Sequence, residues 1–459
     1  MATRLEAGQH IDGFRLDEAM TAGGLGSLWR VSRADIDFPM IMKFPLLRRG
    51  ETPLAIVGFE VEQMILPRLS GPHVPRFVAA GDFDGPYIVM EFIAGQALTA
   101  RERALPLGFD EVATIGADIA AALHAIHRQN VLHLDLKPEN IIFRDSGEAV
   151  LIDFGLARHL QLPDLPAEEF DGPVGSGAYV SPEQVLEIRN DPRSDIFALG
   201  VILYHLATAE FPFGEPSRAA EWRRRLYYDP PPPRRWRPDC PPWLQEVILH
   251  CLETDPGARY QTAAQLALDL LHPNQVALTA RATRTRGSGA VTALRRWLRG
   301  LQIQPYAPAA RLAITSPIVA VAIDLADGRP QLAEALRIAV IRVLQTEPDA
   351  RLACINVFKL ARLKLDEFED ESGANIHLRR LSELKHWAHA IPLAAERITF
   401  HVIEAVDAGA ALVEFARRNH VDHIVMGARS SSTLRRYLGS VSAQVAAEAP
   451  CTVTVVRER

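Results

Sequence analysis

Cysteine is scarce: Cys240, Cys251, Cys354 and Cys451 are the only four in 459 residues, and no two form a Cys-x-x-Cys pair. That scatter argues against a zinc site and fits reduced thiols in a cytosolic compartment. Long apolar runs are missing as well; none approaches the ~20 residues that a membrane-spanning helix requires. The opening Met1-Ala2-Thr3-Arg4-Leu5-Glu6-Ala7 lacks the apolar core of a secretory signal. A strong charge of one sign is absent, since the net charge is −6, so no global basicity points to nucleic acid as a partner. What is present is a globular composition, 48% hydrophobic and 23% charged, on a chain long enough for two or three domains. We expect a soluble, cytoplasmic protein.

Two local absences are more telling. From Pro273 to Thr315 there is no Asp or Glu, while Arg281, Arg284, Arg286, Arg295, Arg296, Arg299 and Arg311 all fall there. This stretch, 273–315, reads as a basic linker. Within it Val291, Leu294, Leu298 and Leu301 share one helical face, as they would if the helix packed on its neighbouring lobe or met an acidic surface. From Leu156 through Gly175 there is no Ser, Thr or Tyr; Asp164, Glu168, Glu169 and Asp171 stand there instead.

The densest chemistry lies in His133-Leu134-Asp135-Leu136-Lys137-Pro138-Glu139-Asn140, followed by Asp153-Phe154-Gly155. Phosphoryl transfer needs a held triphosphate, neutralised charge and an aligned hydroxyl. A carboxylate base, a lysine two residues on and two oxygen ligands for a cation supply these. Upstream, Thr21-Ala22-Gly23-Gly24-Leu25-Gly26-Ser27-Leu28 offers glycines that let backbone approach phosphate. Lys43 sits in the apolar run Met40-Ile41-Met42-Lys43-Phe44, where it needs an anion or an edge position facing water. A helix over Phe59–Leu69 offers Glu60 and Glu62 as that anion. Another helix, Asp110–Arg128, aligns Val112, Ile115, Ile119, Leu123 and Ile126 on one face.

Together these motifs resemble the eukaryotic-like serine/threonine protein kinases of bacteria, over residues 10–272. The resemblance implies a bilobal α+β fold with an N-lobe of about 10–93 and a C-lobe of about 94–272. It implies ATP and Mg2+, or Mn2+, as cofactors and proteins as substrates. Asp135 would be the catalytic base, with Lys137 and Lys43 on phosphates and Glu62 holding Lys43. Asn140 and Asp153 would bind the metal. Gly23, Gly24, Gly26 and Leu28 would cover the nucleotide, while Met90, Glu91 and Ile93 of Pro86–Ile93 would line the adenine site. Ser181-Pro182-Glu183, Ser176, Asp195 and Arg259 resemble the marks that close the activation segment and brace the catalytic loop. Two departures stand out: Thr21 replaces the first loop glycine, and Leu134 replaces an arginine that in many kinases waits for an activation-loop phosphate. With no hydroxyl between 156 and 175, switching by phosphorylation of that loop is not expected. An ATP-binding pseudokinase scaffold, or a stress-protein adaptor, is the alternative reading, although no catalytic charge is missing. Thr279, Thr283, Thr285, Ser288 and Thr292 lie among arginines as candidate autophosphorylation sites.

From residue 316 onward strand-like runs at Ile318–Ile323, Ala350–Val357, Ile398–Val402, His423–Met426 and Thr452–Val456 alternate with helical patterns such as Ala408–Arg418, predicting an α/β domain over 316–459. Gly427, Gly439 and Ser440 follow the fourth run, with Ser430 where a second glycine would stand, and Asp324 ends the first. The pattern resembles the universal stress protein family, which implies a mostly parallel five-stranded sheet. It also implies a possible second adenine nucleotide at Asp324, Gly427, Ser430, Gly439 and Ser440, or a docking role with homodimer formation through the last strand. The acidic Asp366–Glu371 reads as a solvated loop.

Overall fold

The computed structural model describes residues 5–457, except 24–25, 46–52, 82–84, 171, 217, 288–295, 297–316, 326–329, 349, 360–375, 395–396, 420 and 429–439. The N-terminal part folds as an antiparallel sheet of β1 (His10–Ile11), β2 (Phe14–Gly23), β3 (Gly26–Ser32), β4 (Met40–Phe44), β5 (Phe77–Ala80) and β6 (Ile88–Glu91), in the order β1-β2-β3-β4-β6-β5. One helix, α1 (Pro53–Ile65), crosses from β4 to β5. It begins six residues before the expected start at Phe59 and gives way at Leu66–Arg68 to a 3-10 turn, because Pro67 cannot donate the next helical bond.

A mainly helical lobe follows. It comprises β7 (Gln96–Ala97), α2 (Phe109–His127), β8 (Val131–Leu132), β9 (Ile141–Phe143), β10 (Ala149–Leu151), β11 (Arg158–His159), α3 (Leu165–Glu169), α4 (Pro182–Val185), α5 (Arg193–Thr208), α6 (Ala219–Trp222), α7 (Arg224–Tyr227), α8 (Pro242–Cys251), α9 (Ala263–Leu271) and α10 (Ala280–Thr283). The apolar face of α2, from Val112 to Ile126, is buried against α5 and α9. Gly116 permits this approach, since a Cβ there would meet a Leu203 methyl at 2.5 Å. Two short ribbons, β9 with β10 and β8 with β11, carry the His133–Asn140 and Asp153–Gly155 loops between them. A capping box between Ser181 and Gln184 starts α4. Behind it Arg259 forks onto Glu183 at 2.7 and 2.8 Å, both side chains wholly buried.

The described part of the basic stretch is packed on this lobe. Gln245 of α8 donates to the carbonyls of Arg281, Ala282 and Arg284, and Glu246 accepts from Thr279, Arg281 and the Ala282 N–H. Two buried polar side chains in an apolar helix thereby find partners. Further on, Arg296 reaches Asp229. Val291, Leu294, Leu298 and Leu301 lie outside the described residues.

The C-terminal domain is a five-stranded parallel sheet of β12 (Ile318–Ala322), β13 (Arg351–Lys359), β14 (Ile398–Ala405), β15 (His423–Gly427) and β16 (Thr452–Val456), ordered β14-β13-β12-β15-β16. Among the described residues four helices connect the strands: α11 (Pro330–Thr346), α12 (Ile376–Ala388), α13 (Ala408–Arg418) and α14 (Ser440–Glu448). Separate apolar clusters cover the two sheet faces, as a parallel sheet requires. Asp407 caps α13, accepting from the N–H groups of Gly409 and Ala410.

This domain lies against α1 and α3 of the preceding lobes. Ile56 of α1 is buried in its core, beside residues such as Leu381 and Trp387, a burial worth about 1.5–3 kcal/mol. Lys385 of α12 pairs with Glu60 of α1. On α3, Glu168 meets Arg351 of β13 at 2.5 Å and Glu169 meets Nδ1 of His401 of β14 at 2.8 Å. Arg418 of α13 donates to the Phe170 carbonyl.

His401 is fully buried with Glu168, Glu169, Thr399 and the Phe415 ring around it, Arg351 across Glu168 and Glu60 near Glu169. Burial opposes its charge, but Glu168 and Glu169 outweigh burial and lift its pKa to about 9. A folded-state value above the ordinary ~6.5 means that its stabilisation is complete below that pH and is lost as pH rises through the folded value. Between pH 7 and 9.5 the wild-type melting temperature should therefore fall, by the equivalent of up to about 3 kcal/mol. His401→Gln should lack that component of the pH dependence.

Candidate active site

The site is built where the antiparallel sheet faces the helical lobe. Lys43 on β4 donates to Glu62 of α1 at 2.5 Å and lies 3.4 Å from Asp153. Of the two glutamates weighed in the sequence, Glu62 is the partner; Glu60 points away, to the C-terminal domain. Burial works against the Lys43 ammonium, but Glu62 and Asp153 more than offset it and raise its pKa. Burial likewise pushes Asp153 upward, and Lys43 with His133 pulls it below the usual carboxylate range. Burial pushes Glu62 upward too, opposed by the ammonium beside it.

Leu134 and Asp153 adopt left-handed backbone, at φ 59° and 62°. Such conformations cost free energy and persist only when their surroundings impose them. Here Asp195 accepts from the successive N–H groups of His133 and Leu134 at 2.9 and 2.8 Å, and from His127 at 2.8 Å. Phe154 is fully buried against the His133 ring, which fixes the direction of Asp153. Gly58 brings α1 onto this loop: a Cβ there would lie 3.2 Å from the Gly155 carbonyl oxygen.

Asp135 accepts from the Ser176 N–H at 2.9 Å and pairs with Lys137 at 2.9 Å; Lys137 also donates to the Ser176 hydroxyl at 3.0 Å. Burial lowers the Lys137 pKa, yet Asp135 reverses the sign and the net shift is upward. Asn140 donates to the Asp135 carbonyl at 3.0 Å, leaving its amide oxygen as an acceptor. That oxygen and the Asp153 carboxylate are hard donors suited to Mg2+. Among the described residues no group of three or more His, Cys, Asp or Glu side chains is placed to hold a metal. A cation here would take its remaining ligands from phosphate and water.

Around the nucleotide side, Leu28 on β3 pairs with Lys43 in register, and Gly23 pairs with Gly26 across the hairpin whose tip, with Gly24, lies outside the described residues. Met90 is buried on β6, and Ile93 is buried beyond it. The Glu91 side chain pairs with Arg144 at 2.7 Å, which leaves an adenine contact to its backbone groups, as the resemblance implies. In the C-terminal domain Asp324 and Gly427 stand at the ends of the adjacent strands β12 and β15, and Ser440 opens α14. Ser430 and Gly439 lie outside the described residues.

The sequence reading missed how the activation segment is anchored. Asp164 bonds Arg189 at 3.1 and 3.2 Å and Arg158 at 3.1 Å, and Arg189 also donates to the Leu156 carbonyl at 2.8 Å. Arg225, fully buried, donates to the carbonyls of Gly177 and Val180 beside Ser176. The acidic run without hydroxyls was the available signal; its arginine partners are too distant in sequence to be paired by inspection.

The protein kinase domain model matches residues 18–270, more than half of the chain, and the universal stress protein family model matches residues 317–457. The chain belongs to the protein kinase family and carries a universal stress protein domain behind the kinase. It is 30% identical over 276 residues to serine/threonine-protein kinase PknB of Mycolicibacterium smegmatis, covering 58% of this chain and 44% of that protein. Against serine/threonine-protein kinase pkn3 of Myxococcus xanthus it is 32% identical over 274 residues, covering 56% of this chain and 49% of that one. The chain thus spans about half the length of these relatives. Among solved structures it resembles the Mycobacterium tuberculosis PknI kinase domain, with 23% identity and a TM-score of 0.46 over 59% of this chain and 99% of that one.

Asp164→Ala should leave the buried Arg189 guanidinium without its carboxylate, a loss of about 3 kcal/mol. Limited proteolysis should then cut 156–175 faster than in the wild type.

Proposed function

We propose that the chain is an active serine/threonine protein kinase, transferring the γ-phosphate of Mg-ATP to protein hydroxyls. The observation that carries this reading is a pair of arrays: Glu62 to Lys43 to Asp153 on the nucleotide side, and Lys137 and Ser176 on Asp135 on the acceptor side. In this role Lys43 grips the non-transferred phosphates and Asn140 with Asp153 holds Mg2+, which offsets charge between phosphates. Lys137 meets the transferred group, and Asp135 orients the incoming hydroxyl and takes its proton. A pseudokinase scaffold would be expected to have lost one of these charges, and each is in place.

The catalytic loop carries Leu134 in place of arginine, and the activation segment is held by Asp164 between Arg158 and Arg189. We therefore read this kinase as independent of activation-loop phosphorylation. The linker threonines are not equal as autophosphorylation sites: the Thr279 hydroxyl is held by Glu246 at 2.9 Å, so a phosphate there would face a carboxylate. Thr283 and Thr285 are exposed, and Ser288 and Thr292 lie outside the described residues. Asp135→Asn should lower kcat about a hundred- to ten-thousand-fold, the usual share of a catalytic base. Phosphatase-treated wild type should keep its activity in the same assay. Equal phosphate incorporation by wild type and Asp135→Asn, or a treated enzyme that is inert, would sink the corresponding reading.

A second adenine nucleotide in the C-terminal domain is favoured by one observation. The chain reverses its direction of travel across the sheet between β12 and β15, the switch point where α/β sheets bind ligands beyond the strand ends, and Asp324 and Gly427 lie there. Asn356 donates to the Ile323 carbonyl at 2.8 Å and steadies that strand end. This reading links kinase output to a nucleotide or stress signal. The edge strand β16, which among the described residues pairs with β15 alone, would serve a homodimer. Among the described residues no helix is long and apolar enough to cross a membrane. Equilibrium titration with ATP should find two nucleotides per chain, and one in Asp324→Ala. A single site in the wild type would remove the second nucleotide.

A further inference from the structure

We propose that the C-terminal domain is the kinase's own positioning partner, holding α1 and the activation segment from outside so that its docking sets kinase output. The inference rests on the active-kinase reading above and assigns that kinase its means of control.

Helix geometry links the two sides of α1. Ile56 and Glu60 lie four residues apart on one face and both enter the C-terminal domain. Glu62 is two residues beyond Glu60, about 200° around the helix, and points to Lys43. One rigid helix thus carries the glutamate that positions Lys43 on one face and the domain contact on the other. Its sequence, Pro-Leu-Ala-Ile-Val-Gly-Phe-Glu-Val-Glu-Gln-Met-Ile, has no Lys or Arg and is apolar almost all round. A helix of that kind is built to be covered on both sides. Without the C-terminal domain Ile56 would face water.

The activation segment is held by the same domain. Lys385, Arg351, His401 and Arg418 come from four different elements, α12, β13, β14 and α13. They meet Glu60, Glu168, Glu169 and the Phe170 carbonyl in that order. Charge complementarity of this density fixes one docked position. The kinase side of the contact is therefore the pair of elements, α1 and α3, that must be placed for phosphoryl transfer. With the domain docked, the Lys43–Glu62 pair is made and Ser176 is on Asp135. The docked state is the competent one, and the domain acts as an activator.

The test is charge reversal at Lys385 in the full chain. Lys385→Glu should reduce phosphate transfer from Mg-ATP to casein about tenfold or more, within the usual range of coupling between sites. KM for ATP should rise as α1 loosens. Amide hydrogen exchange should speed up in 53–65 and 156–170. Adding Glu60→Lys restores opposite charges and should return both transfer and exchange toward wild type, which a folding defect would not do. Unchanged or increased transfer in Lys385→Glu, or no rescue in the double variant, overturns the proposal. A wild-type chain that transfers no phosphate defeats the active-kinase reading instead. Exchange in 53–65 and 156–170 that Lys385→Glu leaves unaltered defeats the domain contact by itself.

Discussion

The 2.5 Å contact between Lys43 and Glu62 is the constraint on which the rest depends. An ammonium set in an apolar strand must be paired, because burying a lone charge costs far more than the pair returns. Its partner stands on a different element, so the pair exists only when α1 lies at one distance and one rotation from β4. Gly58 against Gly155 sets the distance from one side, and Ile56 in the C-terminal core sets the rotation from the other. Asp153 then shares the same ammonium, so the Asp153–Gly155 loop is tied to the same geometry.

The helical lobe contributes stiffness. Asp195 collects three donors and holds the left-handed turn at Leu134 beside Asp135, while Glu183 and Arg259 lock the end of the activation segment. Where a phosphate would supply charge in a switched kinase, this chain has carboxylates built in. Asp164 sits between two arginines inside the lobe, and Glu168 and Glu169 sit against Arg351 and His401 outside it.

Much of this was legible in the sequence. The kinase motifs could be read because phosphoryl transfer fixes residue type and spacing over short stretches, as in His133–Asn140. The five strands of the C-terminal sheet were visible as apolar runs within a few residues of their bounds, since a parallel sheet buried on both faces needs continuous apolar strands. Both Glu60 and Glu62 were visible as partners for Lys43, and the family resemblance favoured Glu62, the one that the structure pairs with it. The start of α1 could not be read, because its first turn is held by a domain hundreds of residues away. The partners of Asp164, Glu168 and Glu169 were hidden for the same reason: an ion pair leaves no spacing signature when its halves are remote. The docked part of the basic stretch was likewise invisible, since its anchors are Gln245 and Glu246 of α8.

That α1 belongs to two cores also has a bearing on synthesis. Residue 65 leaves the ribosome some 250 residues before β12 begins at Ile318. At about 5–20 residues per second, roughly ten to fifty seconds pass before the covering domain starts to emerge. Throughout that interval the nascent kinase displays the outer face of α1, with Ile56 uncovered. The half-made chain is thus exposed to chaperones and to aggregation in a way that its finished form is not, and a domain translated later completes the folding of an earlier one.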